Sequence, residues 1–139
     1  MERDVQSIVR GISCLLHAQR WLRADSWHLA LSHFIELRNR TPRAHSPQSP
    51  IQLLTGEVCD WSTTNRFAFG DLLAVSTGNL PPDGREWQFD TNNQLAIYVG
   101  NPPATKRGCF VYYPSSRQVL ERLHCWRIDM SDAQFVNFF

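Results

Sequence analysis

The hydrophobic period changes once along this chain, and that change limits the fold more than any other feature. In the first part, apolar residues recur at helical spacing. Val5, Ile8, Val9, Ile12, Leu15 and Leu16 fall at i, i+3, i+4, i+7, i+10 and i+11, which is one face of an amphipathic helix. Asp4 can cap its start, and Gly11 weakens the helix without ending it. The helix closes near Gln19 to Arg23. A second helix follows Asp25-Ser26, with Trp27, Leu31, Phe34, Ile35 and Arg38 on one stripe. It ends at Asn39-Arg40-Thr41-Pro42, because proline disfavours helix at the residue before it. After a Pro- and Ser-rich loop, Ser49 caps a short third helix. Pro50 takes its first position, Ile51, Leu53 and Leu54 pack, and Gly56 stops it.

From about residue 61 the apolar residues gather in short runs instead. Strands are expected at Leu72–Val75, Leu95–Val99, Cys109–Tyr113, Arg117–Leu120 and Cys125–Ile128. Asp83-Gly84 and Pro114-Ser115-Ser116 mark turns between them. In the third run, alternation puts Phe110 and Tyr112 on one side. Five short strands with long early loops and a late hairpin suggest a small barrel of SH3-like type. The chain therefore reads as α+β: a helical segment over 1–60, a five-stranded SH3-like barrel over 61–130 and a tail over 131–139.

Composition narrows the function. The 139 residues carry a formal charge of only +1, so overall charge does not announce a nucleic-acid binder. Thirteen of the 14 basic residues are Arg, whose planar fork suits phosphate and carboxylate; a GC-rich coding bias gives the same count. The layout is uneven. Residues 101–128 hold Lys106, Arg107, Arg117, Arg122 and Arg127 against one acid, Glu121. No apolar run approaches a membrane span, and the charged start Met1-Glu2-Arg3-Asp4 lacks a signal-peptide pattern. An intracellular protein, nuclear or cytoplasmic, is the expectation.

Cys14, Cys59, Cys109 and Cys125 form no C-x-x-C pair and no zinc-finger rhythm, and they read as small buried hydrophobes. Cys14 and His17 share a helix face, and His124 adjoins Cys125, so an unrelated small enzyme built on such a pair is a further reading. No phosphate loop, no G-x-S-x-G and no H-E-x-x-H occurs.

Taken in order, Glu2-Arg3, Trp27, Asn39-Arg40-Thr41-Pro42, Ser49-Pro50, Phe69-Gly70, Phe89-Asp90, Ile97–Gly100 and Gly108–Pro114 resemble the end of a copia-type retrotransposon integrase. The similarity spans about residues 2–130. It covers the last helices of the RNase H-like catalytic core and the SH3-like domain behind it. The chain departs from that pattern at Val5, Gln6, Asp71, Gln88 and Asn101.

The resemblance implies that Glu2 is the third carboxylate of an Asp-Asp-Glu triad. In the complete enzyme the triad holds Mg2+ or Mn2+ for phosphoryl transfer. The two upstream Asp residues have no counterpart in these 139 residues, so no catalysis and no cofactor are expected of this chain. By itself Glu2 reads as a helix-start carboxylate favoured by the helix dipole. The resemblance leaves nucleic-acid binding, linked to DNA integration, with Lys106, Arg107, Arg117, Arg122 and Arg127 as candidate contacts. Trp87, Tyr98, Tyr112, Tyr113 and Trp126 are the aromatics among them. The alternative is a protein-interaction module, a domesticated helical hairpin joined to an SH3-like barrel. In either case apolar helix stripes without a catalytic core need another home, on the barrel or on a second copy of the chain.

Overall fold

The computed structural model describes residues 2–19, 21–58, 66–76, 93–102 and 108–129. Its order is α1 (Glu2–Ala18), a 3₁₀ turn (Ala24–Ser26), α2 (Trp27–Arg40), α3 (Pro50–Thr55), then β1 (Leu72–Ser76), β2 (Asn93–Gly100), β3 (Cys109–Tyr113), β4 (Gln118–Arg122) and β5 (Cys125–Arg127). The fold is mixed α+β.

Local chemistry explains the helix limits. Gln19 clasps the end of α1: its amide donates to the carbonyls of Leu16 and Leu22, and its Oε1 accepts from the Leu22 N–H. That clasp turns the chain toward α2. Thr41 ends α2 in extended backbone, as Pro42 requires. In α3, Ser49 Oγ accepts from the Gln52 N–H at 3.2 Å and Gly56 takes φ 76°, a left-handed C-cap.

All five strands pair antiparallel in the order β4-β3-β2-β1-β5. Leu73 faces Ala96 across β1 and β2, and Tyr98 faces Val111 across β2 and β3. A register shift between Tyr98 and Gly100 bends β2. Arg117 lies in the β3–β4 turn at φ 55°, its N–H donating to the Tyr113 carbonyl at 2.8 Å. It is thus a left-handed turn residue and not the first residue of a strand. Only Leu123 and His124 join the two edge strands β4 and β5. Edges four spacings apart in a flat sheet would be about 19 Å distant, beyond the ~11 Å that three residue steps can reach. The sheet must therefore curl strongly toward itself. No hydrogen-bonded pairing closes β4 onto β5 among the described residues.

Both faces of the sheet are buried over β1 to β3, while β4 is exposed. On the concave face lie Leu73, Val75, Ala96, Tyr98, Cys109, Val111, Tyr113 and Cys125, with Phe67 packed against them. On the convex face Leu72, Ile97 and Val99 join Leu22, Ala30 and Phe69, and α1 adds Ile12, Leu15 and Leu16. Phe110 and Tyr112 pack on this side, as alternation along the strand expects. The helices therefore find their home on this chain's own sheet. Each large aliphatic side chain buried there is worth about 1.5–3 kcal/mol. The surface pair Arg38–Asp4, at 2.8 Å, only helps to align α2 on α1.

The α2 stripe is rotated from the expected one. Trp27 is 53% exposed, whereas Ala30 and His33 are buried. The reason is that α2 has two contact faces. Phe34 meets α1 at Gly11, where a Cβ would stand only 2.2 Å from the ring, while Ala30 and His33 turn to the sheet. The expectation that Leu53 and Leu54 pack also fails, since they are 64% and 86% exposed.

Candidate functional site

Of the basic candidates, Arg117, Arg122 and Arg127 are among the described residues. Lys106, Arg107 and Trp87 lie outside the described residues, as do Cys59 and the 131–139 tail. Arg117 is exposed in the turn before β4 and Arg122 stands at the far end of that strand. The Arg122 Nε donates to the Tyr113 hydroxyl at 3.3 Å. Arg127 on β5 sits 3.9 Å from carboxylate oxygens of both Asp71 and Asp129. Arg66 donates to the Cys125 carbonyl at 3.3 Å and lies over the Phe67 ring. Asp71 and Asp129 thus flank Arg127, and Glu121 precedes Arg122 on β4. Among the aromatics, Tyr98 and Tyr113 are core residues, Tyr112 packs under the helices, and Trp126 is half exposed.

Glu2 is exposed in the first turn of α1. Its neighbour Asp4 is engaged by Arg38, which holds the Asp4 carboxyl below its usual range. Among the described residues no group of three or more His, Cys, Asp and Glu converges. Glu2 alone offers too few oxygens for a two-metal pair. Cys14 is exposed on α1, and His124 is exposed on the β4–β5 link.

Between the end of α1 and the β1–β5 edge lies a cleft of about 460 Å³, lined by Gln19, Trp21, Gly70, Asp71, Arg127 and Asp129 among others. Its one described cation faces two acids, which disfavours an anionic ligand. A second groove, of about 380 Å³, runs along α3 between Arg43, Ser46 and Gln48 on one side and Pro50, Leu53 and Leu54 on the other. An apolar floor beside a polar rim suits an apolar side chain from a partner.

A polar cluster on the buried side of α2 was missed by pattern reading. On α2, His33, Glu36 and Arg40 fall at i, i+3 and i+7 and meet the end of β2. The His33 ring lies between Phe69, with centroids 5.2 Å apart and tilted, and Tyr98, edge-on at 5.9 Å. Burial pulls the imidazole down to about 4, so it is neutral at ordinary pH. Its Nδ1 and the Tyr98 hydroxyl are buried without a hydrogen-bond partner. Burial raises the Glu36 carboxyl, against the opposing pull of Arg40 at 2.8 Å and of the Asn101 N–H. It also raises the Tyr98 phenol. The imidazole and phenol stay neutral across the physiological range, and the His33 ring packs α2 against Tyr98 of β2. The available signal was a row of polar residues in register with Ala30, the one small apolar residue on that face. The chain matches no known protein-family profile, no curated protein and no solved structure.

Proposed function

We propose that this chain is a protein-interaction module: a helical hairpin seated on an SH3-like barrel. The two-residue link between the edge strands and the 4-3-2-1-5 order support the barrel description. One observation carries the functional reading. Ile12, Leu15 and Leu16 of α1 and Ala30 of α2 pack on the sheet cluster, and Val5, Val9, Trp27 and Ile35 of these helices stay exposed; in α3 it is Leu53 and Leu54 that stay exposed. Leu53, Leu54 and the nearby Val58 are 64%, 86% and 76% exposed, beside the groove along α3. Contiguous exposed apolar side chains rimmed by polar ones mark protein contacts more often than solvated surface. Nothing in this reading asks Glu2 for catalysis.

A random-peptide selection against the intact chain tests it, counter-selected with the Leu53→Ser, Leu54→Ser double variant. Peptides with apolar anchors should enrich on the native chain and bind the variant at least 10-fold more weakly. Equal binding to both proteins would remove the reading.

The copia-type integrase resemblance supports a second reading, in which the module derives from such an enzyme and keeps nucleic-acid binding. It draws on the exposed guanidiniums of Arg117 and Arg127. Fluorescence anisotropy with labelled duplex DNA at 50 and 200 mM salt separates the two. The acids flanking Arg127 lead us to expect no steep salt dependence. A binding constant falling about 10³-fold over that range would favour the nucleic-acid reading instead.

A further inference from the structure

We infer that Cys109 and Cys125 form a site for an intramolecular disulfide, one that locks the mouth of the curled sheet. Cys109 opens β3 and Cys125 opens β5, and these strands are not neighbours in the sheet: β2 and β1 lie between them. No main-chain ladder joins them. Their side chains nevertheless meet across the concave face, Sγ to Sγ at 2.8 Å. That is closer than either sulfur lies to the Arg122 carbonyl they share, at 3.6 Å and 3.9 Å. Both are buried, at 3% and 2% exposure, in an apolar cluster that fixes where they point. The same sheet curl that brings β4 and β5 within two residues of each other brings these thiols together. A bond there would tie the two sides of the curl where hydrogen bonding does not.

Either sulfur can donate across the contact. The contact and burial raise the Cys109 thiol, and the contact lowers Cys125, with the Arg66 and Arg122 guanidiniums adding to the effect against the cost of burial. Cys125 is the sulfur placed to meet the oxidant. It sits in a three-residue edge strand, the kind of element that opens locally and exposes its side chains. The oxidant is a small-molecule disulfide, RS–SR. The Cys125 thiolate attacks one of its sulfurs, forms a mixed disulfide and releases RS⁻. Cys109 then gives up its proton and attacks the Cys125 sulfur, expelling the second RS⁻. Two protein thiols are oxidised, one RS–SR becomes two RSH, and the protein loses two hydrogens. This assignment replaces the reading of the two residues as inert buried hydrophobes. A bond that persists between them needs an oxidising compartment.

The test is intact-mass measurement and tryptic mapping of the full chain. The chain is refolded in a mixture of oxidised and reduced glutathione, with a thiol-reduced sample beside it. Cleavage after Arg107, Arg117, Arg122 and Arg127 puts the two cysteines on fragments 108–117 and 123–127. The expected result is a loss of two hydrogens, with those fragments joined and Cys14 still open to alkylation. The oxidised chain should melt about 10 °C above the reduced one. Cys14→Ser should keep the link and Cys125→Ala should abolish it. The inference is overturned if all four thiols alkylate after refolding. It is also overturned if the bond runs through Cys14 or Cys59, or if the linked chain melts lower than the reduced one.

Discussion

At the scale of single residues, the most informative side chain is one that no periodicity flags. His33 is buried because two aromatic rings and the sheet enclose it, and its sequence neighbours carry no motif. Hydrophobic patterning counts apolar positions, so a histidine on the buried face of α2 reads as an interruption. Its effect on stability has a definite sign. The folded imidazole titrates at about 4 against 6.5 for the free side chain, so the unfolded chain takes up the proton first. The stability it supplies is complete above pH 6.5 and is lost as pH falls toward 4. At the acid end the loss is about 3 kcal/mol. Glu36 works the other way: its raised carboxyl binds a proton more readily when folded and offsets part of the loss. His33→Phe removes the histidine's share and keeps Glu36. Urea melts of both proteins from pH 7 to pH 4 should therefore diverge, the wild type falling further. Parallel profiles would mean that His33 is not held neutral by burial.

At the scale of elements, spans were legible and faces were not. Ser49, Pro50 and Gly56 marked α3 because capping chemistry is local, and the third strand run coincides with β3 for the same reason of local patterning. Which side of α2 would be covered depends on two partners at once, α1 and the sheet, and no one-stripe analysis resolves that. The curl was legible only through connectivity, in the two residues between β4 and β5. A junction of elements also explains Gly70. It takes φ 86° just before β1, and a Cβ there would stand 2.3 Å from the Gln19 Cβ. Gln19 has little freedom to retreat, since its amide holds the carbonyls of Leu16 and Leu22. Gly70→Ala combines a left-handed backbone penalty with overpacking at the α1–β1 junction, a cost of about 3 kcal/mol. Gly56→Ala is the matched control, because it has the same sign of φ and open space around it. It should cost about 1 kcal/mol. Equal losses for the two in chemical denaturation would show that Gln19 gives way freely.

At the scale of the whole molecule, the period change near residue 61 does not divide the packing in two. The convex cluster takes Leu22 and Ala30 from the helical part and Leu72, Ile97 and Val99 from the sheet. Ile12, Leu15 and Leu16 of α1 pack onto the same cluster. Neither part covers this cluster without the other. Removing α1 and α2 would bare one full face of the sheet, leaving only the concave cluster to balance the ordering entropy of the strands. Calorimetry of the full chain should accordingly show one transition, with calorimetric and van't Hoff enthalpies in agreement. A fragment starting at residue 61 should show no cooperative transition at all. Two separable transitions in the full chain, or a cooperative melt in the fragment, would establish the sheet as an autonomous domain with the helices as an appendage. Both expected outcomes follow from the convex cluster, where Ile12, Leu15, Leu16, Leu22 and Ala30 share one core with Leu72, Ile97 and Val99.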